Sequence, residues 1–186
     1  MTSNYIRQKL LELIGQNAYK KGDFVLSSGQ KSSYYINGKL VSLHPLGARY
    51  IGEIMYAMLP ADTVAVGGLT LGADPIVSAI TVVSAYTDRL VYGLIVRKQV
   101  KEHGTGQTIE GCALAPGSRV VVVEDVVTTG ASALLAVGRL REAGYRVEDV
   151  FALVDREQGA RECYAQAGLK LQALFTISEI MAQFPD

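Results

Sequence analysis

Two adjacent carboxylates and a turn of small, hydroxyl-bearing residues lie close together in the second half of the chain. Glu124 and Asp125 follow the four valines at 120–123 and precede the sequence Thr-Thr-Gly-Ala-Ser at 128–132. A turn of this composition ahead of a helix offers backbone N–H groups and hydroxyls to a phosphate. The two acids would repel a phosphate and instead suit sugar hydroxyls, a metal ion or a developing cation. The combination indicates a sugar phosphate site, and a plain strand–turn–helix connection is the alternative.

A cationic segment spans residues 97–106. It holds three fixed positive charges, one histidine and two glycines, a composition that predicts a mobile loop. Such a loop could close over a polyanion and exclude water, whereas a solvated charged loop is the alternative. Because the segment follows a predicted strand of the same sheet, it could lie beside the phosphate turn, which favours the first interpretation. Its candidate binding residues are Arg97, Lys98, Lys101 and His103.

Three further segments carry groups that could contact a ligand. The aromatic and hydroxyl-rich segment 24–37 fits a binding cap with stacking surfaces and equally a small hydrophobic plug. The glycine-rich segment 67–75 joins a predicted strand to a helix, where backbone amides could approach a ligand or simply form a tight turn. Arg156 follows Asp155 at the end of another predicted strand. It could pair bidentately with a ligand carboxylate, and a surface ion pair is the alternative.

Composition and missing motifs exclude several classes of protein. Eighteen Lys and Arg residues balance 18 Asp and Glu residues, which argues against nucleic-acid binding. We see no signal peptide and no apolar run of about 18 residues, so we expect a cytoplasmic protein without a membrane partner. The sequence also lacks the GxxxxGK[ST] loop and a GxGxxG turn after a strand. Cys112 and Cys163 are expected to be free thiols, and His44 is expected to begin a helix at Pro45.

Predicted strands and helices alternate along most of the chain, which indicates an α/β fold with a parallel sheet between layers of helices. We expect one compact core at 44–186, preceded by an N-terminal helix and small cap (hood) at 1–43. Ligands of such sheets bind at the carboxyl ends of the strands, where Glu124 and Asp125 are predicted to lie. Helices are predicted at 5–18, 45–59, 73–85, 131–143, 157–167 and 178–183, and strands at 63–66, 91–96, 120–124, 150–154 and 171–175.

Five motifs together resemble a known enzyme family. The run VVVVEDVVTTGAS is similar to the phosphoribosyl pyrophosphate (PRPP) motif of the type I phosphoribosyltransferases. The runs RKQVKEHGTGQ, FVLSSGQKSSYYIN, GGLTLGADP and VDR resemble the orotate phosphoribosyltransferases in particular, in the expected order and over most of the chain. The resemblance implies the type I fold and the conversion of orotate and PRPP to orotidine 5′-monophosphate and pyrophosphate in pyrimidine nucleotide synthesis. A transferase for another base and a non-catalytic PRPP-binding regulator are the alternatives.

The resemblance also implies a role for individual residues. Glu124 and Asp125 would hold the ribose hydroxyls near a developing oxocarbenium ion, and with Lys101 they form the implied catalytic set. Orotate would meet Arg156 through its carboxylate, with Thr128 and the backbone of residues 35–36 near its ring. The implied orotate-binding set is Thr128, Arg156, Tyr35 and Ile36. The implied PRPP-binding residues are Arg97, Lys98, Lys101, His103, Glu124, Asp125, Val126, Val127, Thr128, Thr129, Gly130, Ala131 and Ser132.

The family resemblance further implies a homodimer in which the loop 97–107 reaches into the neighbouring site. Mg²⁺ would arrive bound to the substrate, so no protein side chain need be a metal ligand. The sequence departs from the family at two places. Many members carry a lysine where Ser27 stands, and a Tyr-Lys pair where Leu71 and Gly72 stand. Backbone amides of 68–72 could take the place of those side chains.

Overall fold

The computed structural model describes residues 3–25, 31–99 and 107–185. Its N-terminal part contains a helix that ends in a π-helical turn, a two-stranded antiparallel sheet and a short helix. These elements are α1 (Ser3–Leu13), the π-helical turn Ile14–Ala18, β1 (Tyr19–Val25), β2 (Lys31–Ile36) and α2 (Lys39–Ser42). The aromatic segment predicted to form a cap thus supplies a small sheet of its own.

The rest of the chain alternates helices and strands. These elements are α3 (Pro45–Met58), β3 (Thr63–Leu69), α4 (Asp74–Ser84), β4 (Tyr92–Val96), β5 (Ile109–Gly111), β6 (Arg119–Val127), α5 (Ala131–Glu142), β7 (Asp149–Asp155), α6 (Ala160–Gln166), β8 (Lys170–Thr176) and α7 (Ile177–Gln183). The strands form one sheet in the order β5-β4-β3-β6-β7-β8, in which β5 is antiparallel and the others are parallel. The predicted α/β fold with a mostly parallel central sheet is therefore confirmed.

The four valines of β6 show how the sheet is covered on both faces. All four are fully buried. Val121 and Val123 belong to the hydrophobic cluster that includes residues of α1, α3 and α4, whereas Val120 and Val122 belong to the cluster that includes residues of α5 and α6. This alternation follows from the two-residue period of a strand. A continuous apolar run therefore makes a central strand, and the polar residues that follow it stand at the edge of the core.

Two boundaries differ from the sequence-based expectation. The polar stretch 97–118 contains β5, which pairs with β4 through the partners Val96 and Ile109. Strand β6 continues to Val127, past the predicted end at residue 124, so Asp125 as well as Glu124 lies within the strand. The division at residue 43 stays a prediction, because one hydrophobic cluster contains residues from both sides of it.

The start of α3 confirms the expectation for His44. Its Nδ1 accepts hydrogen bonds from the backbone N–H groups of Leu46 (3.2 Å) and Gly47 (3.4 Å), and Pro45 occupies the first helical turn. Both cysteines are free thiols, Cys112 exposed and Cys163 half-buried. In the described ranges, none of the helices has the length and apolar character required to cross a bilayer.

Candidate active site

A small pocket lies at the junction of β6 and α5. Its walls are Glu124, the segment 126–133 and Tyr164, and its volume is about 90 Å³. Gly130 directly precedes α5 with a φ of +92°, a left-handed conformation that glycine adopts readily. The first N–H groups of α5 have no partner within the helix, and the helix dipole makes this end positive. The predicted phosphate segment therefore forms the wall of a pocket that suits an anion.

Tyr164 of α6 forms part of the wall of this pocket. It is fully buried, and a Cβ atom on Gly130 would lie 2.7 Å from its ring atom Cε1 and 3.3 Å from its hydroxyl oxygen. Its hydroxyl has no hydrogen-bond partner among the described residues. Burial raises the pKa of Tyr164, and the nearby charge of Glu124 adds to the effect. The phenol is therefore neutral, and its ring leaves space only for glycine at position 130.

The two acids line a second pocket, which shares Glu124, Val126 and Ser132 with the first. Its volume is about 250 Å³, and its other walls include Lys39, Lys98 and the segment 69–72. Both acids are buried, with 6% of Glu124 and 7% of Asp125 exposed. The shared walls mean that a single ligand could reach from the phosphate turn to the acids.

Asp125 and Glu124 differ in their partners. The Asp125 carboxylate accepts hydrogen bonds at Oδ2 from Lys39 Nζ (3.3 Å) and at Oδ1 from the Val126 backbone N–H (2.9 Å). Glu124 Oε2 is buried without a partner in the described part of the chain. Burial and the adjacent Asp125 charge raise the pKa of Glu124 to about 8, and Lys39 opposes this shift. The pair therefore carries less than two full negative charges near neutral pH, and hydroxyl donors or a developing cation would favour its ionised form.

Two glycines from different segments enclose Asp125. A Cβ atom on Gly72 would overlap Asp125 Oδ1 and would lie 2.9 Å from Asp125 Cγ and 3.1 Å from Glu124 Oε1. A Cβ atom on Gly38 would lie 2.9 Å from Asp125 Cβ. Position 72, one of the two places where the sequence departs from the family that it resembles, thus has no room for a side chain in this arrangement. Lys39, which directly follows Gly38, contacts Asp125 through its ammonium group.

Arg156 lies beside the start of the phosphate segment. In the β6–β7 register Val127 pairs with Asp155, and the backbone N–H of Arg156 donates to the Val127 carbonyl at 2.9 Å. Only 8% of Arg156 is exposed. Its Nε donates to the hydroxyl of Tyr34 at 3.1 Å, whereas its Nη2 has no partner among the described residues. Arg156 therefore follows β7 at this end of the sheet and has a buried guanidinium nitrogen without a described partner.

The other three predicted orotate-binding residues differ in burial. Thr128 is half-buried in the wall of the phosphate pocket. Ile36 is buried at the end of β2, and Tyr35 is exposed, with its ring centroid 5.6 Å from that of Phe24. Tyr35 and Tyr34 lie on opposite faces of β2, so the side chain that reaches Arg156 is Tyr34.

The structure describes the cationic segment only at its start, residues 97–99. Arg97 Nε forms an ion pair with Glu110 Oε1 at 2.8 Å, and its backbone N–H donates to the Thr108 carbonyl at 2.9 Å. Lys98 lines the pocket of the acids, and its carbonyl accepts a hydrogen bond from Arg139 Nη2 at 2.9 Å. Lys101, His103 and Ser27 lie outside the described residues.

Two residues of these pockets were not in the predicted site. Lys39 is a single lysine shortly after β2, and the only local signal is Gly38, which permits its close approach to Asp125. Tyr164 occupies an apolar position of α6 and cannot be distinguished by spacing from an ordinary core residue. Lys39 and Tyr164 belong to the site because they lie close to Asp125 and Gly130, and residue spacing does not reveal this proximity.

Comparisons with known proteins agree with this geometry. No protein-family model matches the chain. An orotate phosphoribosyltransferase of a Nostoc species is 60% identical over 97% of this chain and 88% of that relative, and one of a Synechocystis species is 61% identical over 94% and 88%. The structure of a Mycobacterium tuberculosis orotate phosphoribosyltransferase in complex with PRPP is similar with a TM-score of 0.78, at 35% identity over 94% of this chain and 98% of that one. The chain therefore belongs to the orotate phosphoribosyltransferase family and has the type I phosphoribosyltransferase fold.

Proposed function

We propose that this orotate phosphoribosyltransferase transfers the phosphoribosyl group of PRPP to orotate at the carboxyl ends of β6 and β7. The observation that carries the proposal is the pair of pockets that share Glu124, Val126 and Ser132. One suits a phosphate and the other holds two buried acids. Arg156 contacts Val127 of the first pocket through its backbone N–H and has a buried Nη2 without a described partner. These are the groups that a sugar phosphate and a carboxylated base require.

The phosphate pocket would hold the 5′-phosphate of PRPP. Backbone N–H groups of 128–132 and the hydroxyls of Thr128, Thr129 and Ser132 are its donors. Glycine is required at position 130 because φ is positive there and because the Tyr164 ring leaves no space for a Cβ atom. With the phosphate anchored there, the ribose would extend toward the acids of β6.

The acids would act on the ribose as its C1′ atom becomes cationic. Glu124 and Asp125 accept hydrogen bonds from ribose hydroxyls, and their negative charge favours the oxocarbenium-like state over the ground state. Lys39 holds the Asp125 carboxylate in place at 3.3 Å. No covalent nucleophile is needed, since the reaction requires charge stabilisation and the alignment of C1′ with the ring nitrogen of the base.

The pyrophosphate leaving group would meet the cationic segment. Lys98 already lines the pocket of the acids. Arg97 would have to exchange Glu110 for the ligand, because the two form an ion pair in this structure. Lys101 and His103 complete the proposed set, and electrostatic stabilisation of developing charge is usually the largest single contribution to catalysis. By analogy with the loss of one oxyanion donor, Lys101→Ala should lower turnover at least about a hundredfold.

Mg²⁺ is proposed to enter with the substrate. In the described ranges, no three His, Cys, Asp or Glu side chains converge as a metal site. The two carboxylates, one with an unpaired Oε2, can accept hydrogen bonds from the ribose hydroxyls that would carry the ion with the diphosphate. Glu124 and Asp125 would then hold it through the ribose hydroxyls. When bound, it supplies positive charge to the diphosphate.

We propose a homodimer in which the loop 97–107 completes the neighbouring site. Mixing two inactive variants tests this arrangement directly. A hybrid of Lys101→Ala and Arg156→Met protomers would contain one site with both native residues if the loop acts across the interface. Random exchange of subunits in an equal mixture should then restore about a quarter of the native activity. Recovery of no activity from exchanged dimers would place the loop over its own site.

The cytoplasm is the proposed compartment. Cys112 is an exposed free thiol, and exposed thiols persist in reducing surroundings. Small anionic substrates and the balanced charge of the chain fit this location.

The role of Arg156 is the sharpest test of the orotate site. Arg156→Met keeps an unbranched apolar stem and removes the guanidinium with its charge and N–H donors. Loss of one partner of a buried charge pair costs about 2–5 kcal/mol, so kcat/KM for orotate should fall at least about thirtyfold. The dissociation constant of PRPP without orotate should stay within about threefold, and the exposed Arg49→Met serves as the matched control. An Arg156→Met enzyme with native kcat/KM for orotate would refute the assignment.

A further inference from the structure

We infer that Tyr34 is a positioning residue that sets which edge of Arg156 faces the carboxylate of the base. The inference rests on the proposed orotate site. Tyr34 lies on β2 of the N-terminal sheet and Arg156 follows β7 of the central sheet, so the contact joins two separate parts of the fold. Neither residue is more than 9% exposed.

The contact has two components. Arg156 Nε donates a hydrogen bond to the Tyr34 hydroxyl at 3.1 Å, and the guanidinium carbon lies 4.8 Å from the centroid of the Tyr34 ring. Among the described residues Arg156 forms no ion pair with a carboxylate, and its Nη2 is buried without a partner. A buried guanidinium in this state lacks the counter-charge that such groups normally have.

The position of the hydroxyl determines how a ligand can bind. A guanidinium can grip a carboxylate bidentately through Nε and one Nη, or through both Nη atoms. The Tyr34 hydroxyl occupies Nε, so the pair of Nη atoms is the edge that remains. The unpaired Nη2 belongs to that edge. Tyr34 thus selects an end-on geometry and restricts rotation of the guanidinium before the base arrives.

Neighbouring groups hold Tyr34 itself in place. Its ring centroid lies 6.3 Å from that of Tyr19, whose hydroxyl is buried without a described partner. The Tyr34 carbonyl accepts a hydrogen bond from the Ser32 hydroxyl at 2.7 Å. The ring is therefore fixed by packing and the hydroxyl by Arg156. Replacing Tyr34 by phenylalanine would remove only the hydrogen bond and keep the ring over the guanidinium.

Tyr34→Phe with Tyr19→Phe as the matched control separates positioning from packing. Each variant loses one buried hydroxyl of the same aromatic pair, and only Tyr34 contacts Arg156. A hydrogen bond to a charged group contributes about 1.5 kcal/mol or more, so kcat/KM for orotate should fall about tenfold in Tyr34→Phe, mainly through a higher KM for orotate. The dissociation constant of PRPP should stay within about twofold, and Tyr19→Phe should match the native enzyme in both constants.

The double variant completes the test. If Tyr34 acts through Arg156, adding Tyr34→Phe to Arg156→Met should cause no further loss of kcat/KM for orotate. Equal losses in Tyr34→Phe and Tyr19→Phe, or equal effects on orotate and PRPP, would show a packing role and overturn the inference. An Arg156→Met enzyme that keeps its native kcat/KM would instead refute the proposed orotate site. The two failures are therefore distinguishable.

Discussion

Replacing Gly72 by alanine should impair catalysis while leaving the fold intact. Gly72 does not have a left-handed φ, so alanine brings no backbone penalty there. The added methyl group would overlap Asp125 Oδ1 and lie 2.9 Å from Asp125 Cγ and 3.1 Å from Glu124 Oε1. Asp125 cannot simply turn away, because Lys39 and the Val126 N–H hold its two oxygens. The change therefore acts on the acids and on little else.

The size of the effect follows from the required displacement. Carbon atoms in contact prefer separations of about 3.5–4.0 Å, so the 2.9 Å approach to Asp125 Cγ requires a movement of about 0.6–1.1 Å. A misplacement of about 1 Å in a reacting site can cost about a hundredfold in rate, which corresponds to about 2.7 kcal/mol of transition-state stabilisation. We therefore expect kcat of Gly72→Ala to fall between about tenfold and a hundredfold.

Gly138 supplies the matched control. It lies within α5, and a Cβ atom there would meet nothing within 4 Å. Gly138→Ala should keep kcat within about twofold and should not lower the free energy of unfolding, since alanine is the better helix former. The assay is the loss of orotate absorbance with saturating substrates, alongside urea unfolding of each variant. If folded Gly72→Ala keeps at least about a third of the native kcat, the acids are not held as tightly as this structure indicates.

Three further predictions concern stability. Burial raises the pKa of Glu124 to about 8, so between about pH 4.5 and pH 8 the folded chain keeps a proton that the unfolded chain has released. The free energy of unfolding should therefore fall as pH rises through this window, by up to about 1.4 kcal/mol per pH unit. Glu124→Gln should remove this part of the slope in urea unfolding, and identical slopes would contradict it. Tyr164→Phe removes a buried, unpaired hydroxyl and should raise the free energy of unfolding by about 1 kcal/mol, whereas a loss of that size would reveal a hydrogen bond to it. Arg119→Met leaves buried Asp149 without its 2.5 Å partner and should lower the free energy of unfolding by about 3–5 kcal/mol. At a temperature where Arg119→Met is folded, its kcat should equal that of the native enzyme, because Arg119 begins β6 and the two acids lie toward the other end of that strand. A large loss of kcat would contradict this expectation.

The parts of the site that lie in one continuous segment could be predicted from the sequence. The valines of β6, the two acids and the phosphate turn follow one another along the chain, so local patterns were sufficient to indicate a strand, a turn and a helix. The alternation of strands and helices likewise predicted the central sheet. These features depend on residues that are near one another along the chain, so a local pattern is sufficient to indicate them.

Contacts between distant segments could not be predicted in this way. Lys39 meets Asp125 across 86 residues, and Tyr34 meets Arg156 across 122. These contacts depend on how β2 and α2 pack against the core, which no local spacing encodes. Strand β5 was missed for a related reason: it is three residues long and half-exposed, and it forms only because β4 offers it an edge.

Turnover of a panel of bases by the native enzyme distinguishes an orotate transferase from a transferase for another base. Orotate, uracil, adenine and hypoxanthine are each incubated with PRPP and Mg²⁺, and product formation is followed by ultraviolet absorbance. Because Arg156 would be left without a counter-charge by the other bases, orotate should be preferred in kcat/KM by at least about a hundredfold. Comparable turnover of a base without a carboxylate, or no turnover of orotate by the folded enzyme, would contradict the account.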